Sequence, residues 1–260
     1  MVVFFDIDGT IVDDDTQIIP DSAVEAVRAL RKNGHFAVVN TGRPYGHIDP
    51  RVRAMDFGGW ICGCGMEIYL NGRWITRACP DEELCRYVVN SVEECGMQVM
   101  YEAEDALCVD GALSTDPRIQ TEVERFGDKH LTVADIRRVP GMKFMKFVTF
   151  DAPGCRRAEF IRQMEPWFTC IDRGNTMVEY VKKGCSKAKG VETLLKHLGI
   201  SLSQTLAVVD STYDLPMFEA AGHTVCMGEG MEALKARSEY VTDGVLEDGI
   251  AKALKHYGLI

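Results

Sequence analysis

The feature that most restricts the fold is an alternation of short apolar runs with amphipathic helical stretches, present at both ends of the chain. Val2 to Phe5 is a continuous apolar run, the pattern of a strand buried on both faces. Pro20-Asp21-Ser22 then opens a helix, with Ser22 and Glu25 spaced as a capping box and Ala23, Val27 and Leu30 on one face. Asn33-Gly34 stops it, and Phe36 to Val39 reads as the next strand. A strand, a helix and a second strand in this order imply a parallel sheet with right-handed crossovers. The grammar returns near the C-terminus, with a helix over Ala188 to Leu198, a strand over Leu206 to Val209, a helix over Asp214 to Ala220 and a strand over Thr224 to Cys226. Between Glu67 and Ile75 the sequence predicts a hairpin turning at Asn71-Gly72.

The middle of the chain follows another order. A helix is expected over Glu82 to Glu94, strands over Gln98 to Tyr101 and Ala106 to Val109, and a helix over Pro117 to Phe126. A strand over Lys143 to Phe150, a helix over Arg156 to Met164 and strands over Phe168 to Ile171 and Met177 to Val181 follow. This α-β-β-α-β-α-β-β order implies an α+β module on an antiparallel sheet. Phe144, Val148 and Phe150 are expected in its core, with Lys143 and Lys146 on opposite faces of their strand. The expected fold class is therefore α/β: a parallel-sheet core, discontinuous over 1–78 and 183–260, interrupted by a module over 79–182. The connections fall near Arg77 to Pro80 and Lys182 to Gly184. A length of 260 residues suits one main domain carrying a smaller one.

Composition removes several classes of partner. A net charge of -10 argues against nucleic acid or an anionic membrane, both of which need a basic surface. An anionic small molecule stays compatible, because a pocket with a bound cation is locally positive. Ten cysteines without a disulfide framework or a Cys-x-x-Cys pair are read as free thiols in a reducing cytoplasm. Met1 leads straight into Val2, with no basic segment and no apolar stretch long enough to span a bilayer. No Gly-x-x-x-x-Gly-Lys-Ser/Thr occurs, which removes a P-loop kinase. The sequence leaves a monomer and a small homo-oligomer both open.

Four polar clusters sit where predicted strands or loops end: Asp6-Ile7-Asp8-Gly9-Thr10, Asn40-Thr41-Gly42-Arg43, Lys187 after Gly184-Cys185-Ser186, and Asp210-Ser211-Thr212-Tyr213-Asp214. In open parallel sheets ligands bind at the carboxyl ends of strands, so these clusters can form one site. The set suits phosphoryl transfer. A carboxylate approaching a phosphate monoester is repelled unless a hard cation with oxygen ligands offsets the charge. A lysine and a hydroxyl can hold the transferring oxygens. Asp13-Asp14-Asp15 is read as a solvated loop, Arg43 as a substrate contact or a brace for the loop after Thr41, and the six histidines as structural or surface residues.

On these residues the chain resembles phosphatases of the haloacid dehalogenase (HAD) superfamily, in the Cof-type subfamily with a type IIB α/β cap. All four superfamily motifs are present in order, and Tyr240-Val241-Thr242 with Glu247-Asp248-Gly249 are also typical of the subfamily. The resemblance implies a Rossmann-like core and an inserted cap that reads the substrate. It implies Asp6 as the nucleophile and Asp8 as the acid and base. It implies Mg²⁺ held by Asp6, the backbone carbonyl of Asp8, and Asp210, with Asp214 in support. Thr41, Gly42 and Lys187 would bind the phosphoryl group of a small phosphorylated metabolite, by subfamily a sugar phosphate. The chain departs from the family pattern twice. Val209 stands where a glycine is usual, and Tyr213 where an asparagine is usual. Tyr213 weighs on the metal shell, and with Val209 it leaves room for a phospho-ligand sensor with weakened catalysis. The same fold also leaves open a phosphomutase or phosphotransferase, in which the intermediate passes to a sugar hydroxyl instead of water.

Overall fold

The computed structural model describes residues 1–127 and 131–260. The first elements along the chain are β1 (Val2–Phe5), α1 (Asp21–Lys32), β2 (Phe36–Asn40), α2 (Pro50–Arg53), β3 (Gly59–Cys62), β4 (Glu67–Leu70) and β5 (Arg73–Arg77). Next come α3 (Glu82–Cys95), β6 (Gln98–Glu102), β7 (Ala106–Val109), α4 (Pro117–Gly127), β8 (Thr132–Asp135), β9 (Lys146–Phe150), α5 (Arg157–Met164), β10 (Phe168–Gly174) and β11 (Met177–Lys182). The last are α6 (Lys187–Leu198), β12 (Thr205–Val209), α7 (Leu215–Glu219), β13 (His223–Cys226), α8 (Glu232–Lys235), β14 (Tyr240–Val241) and α9 (Gly249–His256). They form two compact units. One comprises Met1–Gly42, Asp49–Arg77 and Ser186–Ile260; the other comprises Arg43–Ile48 and Ala78–Cys185.

The first unit is built on an eight-stranded sheet in the order β14-β13-β12-β1-β2-β3-β4-β5. Pairing is parallel from β14 to β3, and β4 and β5 close the edge antiparallel. β1 lies in the middle and is buried throughout, as its unbroken apolar run requires. Val2 and Phe4 pack with Val191, Leu194 and Leu195 of α6 on one face. On the other, Phe5 meets Phe57 edge-on. Asn71 and Gly72 turn the β4–β5 hairpin with positive φ at both positions, as a two-residue turn of the primed type needs. The expected capping box does not form. α1 begins at Asp21 after Pro20, so Ser22 lies inside the first turn, and no side chain caps the end. Pro20 presets the entry angle, and Asp21 meets the positive end of the helix dipole. Val209 is the last residue of β12 and is fully buried, so the first departure from the family pattern extends the strand.

The second unit carries a six-stranded sheet in the order β10-β11-β9-β6-β7-β8. One face packs Val99, Tyr101, Phe147 and Tyr180 against Val88 and Val92 of α3 and Phe160 of α5. On the other face Met100, Leu107, Val148 and Phe150 meet Ile119 of α4. Two expectations need correction. β8 stands outside the expected elements and pairs parallel to β7, so the sheet is mixed. It is an edge strand whose Thr132 and Val133 are exposed, and so it lacks the buried alternation that marks a strand in sequence. β9 starts at Lys146, so Lys143 precedes the strand, where it pairs with Glu82 at 2.9 Å in solvent.

Lys146 is buried in an ion cluster of this unit. It pairs with Glu179 and lies 3.4 Å from Glu102, its neighbour across the β6–β9 register, while Arg173 binds the other oxygen of Glu179. The cost of burying the Glu179 carboxylate is outweighed by Lys146 and Arg173, which pull it down to about 2. Residues 43–48, expected with the core, belong to this unit. His47 is 2% exposed and its Nε2 lies 2.7 Å from the Ala103 carbonyl oxygen.

Candidate active site

Three parallel strands and one helix of the first unit deliver the site. Beyond β1 the chain folds back tightly: the Ile7 carbonyl accepts hydrogen bonds from the amides of Thr10, Ile11 and Val12. Ile7, Ile11 and Val12 are buried and anchor this loop. Asp6 follows β1 directly, and its amide donates to the Val208 carbonyl of β12 at 3.2 Å. Asp210 therefore emerges one strand away from Asp6, and Thr41 emerges beside it on the other flank, after β2. Lys187 opens α6, whose N-cap Ser186 accepts from the Lys189 amide at 3.0 Å.

These side chains converge. Lys187 Nζ donates to Asp6 Oδ1 at 2.7 Å and also to Asp214 Oδ1. Ser211 Oγ donates to Asp214 Oδ2 at 3.1 Å, so both oxygens of Asp214 are engaged and Asp214 braces the lysine. Thr10 Oγ1 donates to Asp210 Oδ1 at 2.9 Å. Gly9 sits at φ +70, and a Cβ there would lie 2.6 Å from Asp210 Oδ2, so only glycine lets the loop lie against that carboxylate.

The electrostatics follow from burial and crowding. Asp6 is 8% exposed. Burial pushes its carboxyl well above the usual range, Asp214, Asp210 and Asp8 push the same way, and Lys187 opposes them. Burial and then Asp214 push Asp210 up to about 7, against the hydrogen bond from Thr10. Burial alone would lower Lys187, but Asp214 and Asp6 reverse this and hold it protonated. Negative charge thus exceeds what one lysine can offset. Asp6, Asp210 and Asp214 each offer a carboxylate oxygen, all within 4.8 Å of one another. Asp6 and Asp210 each keep a second oxygen beyond the bonds just described. An all-oxygen set with excess negative charge fits a hard divalent cation.

Of the residues singled out in the sequence, Asp6, Lys187, Asp210 and Asp214 form this one group. Asp8 lies in the same loop, bridged to Val12, and its charge acts on Asp6. Thr41 is 1% exposed and is fixed by backbone bonds to Ile61 and Cys64, with Gly42 next to it. Arg43 belongs to the second unit, where its charge acts on Glu102 and His47. Tyr213 is 45% exposed on the turn Thr212–Asp214. Sequence reasoning gave no role to Thr10, Ser211 or Asn40, of which the first two hydrogen-bond to site carboxylates and the third to the Lys187 backbone. Each is a polar residue inside or beside a motif, and a small hydroxyl or amide there reads equally well as a turn former.

A parallel sheet with carboxylates at its strand ends beside a buried lysine is a setting suited to phosphoryl chemistry. The haloacid dehalogenase-like hydrolase family model matches residues 3–254, and the chain belongs to that family. It is a hydrolase of the HAD type. The Bacillus subtilis (strain 168) protein YkrA is 27% identical over 261 residues, covering 100% of this chain and 98% of that one. The 5-amino-6-(5-phospho-D-ribitylamino)uracil phosphatase YitU of the same organism is 26% identical, covering 98% of this chain and 97% of that one. A solved HAD subclass IIB sugar phosphatase superposes with a TM-score of 0.81 at 26% identity, covering 100% of this chain and 99% of the other. No helix among the described residues is long and apolar enough to cross a membrane.

Proposed function

We propose that the chain hydrolyses a small phosphate monoester, a sugar phosphate by class, with Mg²⁺ and through an aspartyl-phosphate on Asp6. The observation that carries this is the Asp6 carboxylate at the end of the central strand, 2.7 Å from Lys187 Nζ and within 4.8 Å of the Asp210 and Asp214 donors. An Asp6 oxygen attacks phosphorus while the bond to the leaving oxygen breaks, and Asp8 gives that oxygen its proton. Asp8, now a carboxylate, takes a proton from water as the water oxygen attacks the same phosphorus, which frees Asp6 and inorganic phosphate. Lys187 and Thr41 hold the phosphoryl oxygens, with Gly42 allowing the loop to approach. Asp6, Asp210 and the Asp8 carbonyl would hold Mg²⁺, which when bound offsets the charge shared by nucleophile and phosphoryl oxygens.

The segment 79–182 serves as the cap that selects the substrate. It has its own sheet and core, as a lid moving as one body requires. The sugar preference rests on the likeness to the subclass IIB sugar phosphatase. Ten free thiols suit a reducing cytoplasm.

Phosphate release from a panel of phosphorylated metabolites, with Mg²⁺ and no added acceptor, tests the function. Turnover is expected to vanish on chelation and in Asp6→Ala, and to fall roughly 10²–10⁴-fold in Asp8→Asn. Appreciable turnover by Asp6→Ala sinks the covalent route, and transfer only to an added sugar hydroxyl makes the enzyme a phosphotransferase.

A further inference from the structure

Asn40 closes β2 at a position that the strand's pattern assigns to an apolar side chain. It is fully buried, and the three residues before it, Ala37, Val38 and Val39, are equally buried. An amide there is a conspicuous choice, because burying it requires partners for two donors and an acceptor. Among the described residues the side chain finds one partner. Asn40 Nδ2 donates to the backbone carbonyl of Lys187 at 3.1 Å, across 147 positions of chain. Its Oδ1 is buried with no hydrogen-bond partner among the described residues. A leucine or alanine would remove this orphan oxygen, so folding alone does not account for the amide.

This bond joins two functional segments. Asn40 immediately precedes Thr41, and Lys187 is the first residue of α6, whose Nζ reaches Asp6 and Asp214. Ser186 fixes the helix entry through the Lys189 amide, but no other side chain among those described above ties the Lys187 backbone to the sheet. The Lys187 side chain is long, so a small rotation about its Cα is magnified at Nζ.

We propose that Asn40 is a positioning residue: its amide fixes the Lys187 backbone so that Nζ meets the Asp6 carboxylate in register with Thr41. The inference rests on the phosphatase reading for its catalytic consequence, and on geometry alone for the placement of Lys187. It predicts a separation of function from stability. Asn40→Leu removes the donor and the orphan acceptor while keeping a side chain branched at Cγ, and Asn40→Ala removes them without adding bulk. Both are expected to lower kcat about 10–100-fold, the scale for a misplaced reacting group. KM is expected to stay within about threefold, because Lys187 keeps its charge and Thr41 is untouched.

The experiment has two arms. In the first, kcat, KM and Tm are measured for wild type and both variants with para-nitrophenyl phosphate and Mg²⁺. Loss of kcat in both variants, with Tm at or above wild type in at least one, supports the inference. Unchanged kcat in both overturns it, as does a kcat loss that tracks a falling Tm across the two variants. The second arm needs no turnover: a crystal structure of whichever variant is the more stable. The Lys187 Nζ to Asp6 distance is expected to lengthen from 2.7 Å. An inactive wild type would defeat the phosphatase reading and leave this arm to decide, and an unmoved lysine would defeat the positioning role.

Discussion

His47 couples the stability of the second unit to pH. The imidazole is 2% exposed, and its Nε2 faces the Ala103 carbonyl at 2.7 Å, which fixes Nε2 as the protonated nitrogen of a neutral ring. Burial pushes the pKa down from 6.5 to about 4, with Lys146 and Arg43 adding to the effect and the bonds to Ala103 and Ala106 opposing it. The folded-state value lies below the unfolded one, so the unfolded chain takes up the proton first as pH falls. Stability is therefore intact above about pH 7 and is lost as pH drops through the interval from 6.5 to about 4. At about 1.36 kcal/mol per unit, the loss is about 2 kcal/mol by pH 5 and about 3 kcal/mol near pH 4. His47→Gln keeps an N–H at the same reach without a titrating group. Urea unfolding of wild type and variant at pH 7.5 and pH 5.0, followed by circular dichroism, isolates this residue because other groups cancel in the difference. The wild type is expected to lose about 2 kcal/mol more than the variant between these pH values. Parallel losses, or an imidazole titrating near 6.5 by NMR in the folded protein, would refute the reasoning.

Other substitutions probe the remaining features. Gly9→Ala places a Cβ 2.6 Å from Asp210 Oδ2 at a φ of +70, and is expected to raise the Mg²⁺ concentration for half-maximal rate by about tenfold or more. An unchanged Mg²⁺ titration would show that Asp210 is not a ligand. Lys146→Met leaves Glu102 and Glu179 buried with Arg173 still on Glu179; it should cost about 3–5 kcal/mol in urea unfolding. Adding Glu102→Gln should restore part of that loss, and no restoration would remove Glu102 from the cluster's balance. Tyr213→Asn puts a short amide on the turn ahead of Asp214, able to hold a metal-bound water. The half-maximal Mg²⁺ concentration is expected to fall about tenfold, and an unchanged value would make the tyrosine neutral.

The local rules were legible where one interaction decides the outcome. An apolar run without polar interruption has to be buried on both faces, so β1 could be placed centrally from Val2–Phe5 alone. Asn71-Gly72 fixed a hairpin because few residues tolerate positive φ at both turn positions. Asp6, Lys187, Asp210 and Asp214 were recognisable as one set because strand ends in a parallel sheet converge. Where two local signals competed, the sequence misled. Pro20 displaced the helix start that Ser22 and Glu25 suggested, and exposed Thr132 and Val133 concealed an edge strand. Only the tertiary structure decided which carboxylates brace and which remain available. Asp214 spends both oxygens on Lys187 and Ser211, while Asp6 and Asp210 each keep one. It likewise turned Asn40 toward Lys187 and enclosed Lys146 among Glu102 and Glu179. Sequence spacing carries the period of a strand or helix, which constrains one element at a time. Hydrogen bonds between residues 147 or 200 positions apart depend on how elements meet, and that is set only when the whole sheet assembles.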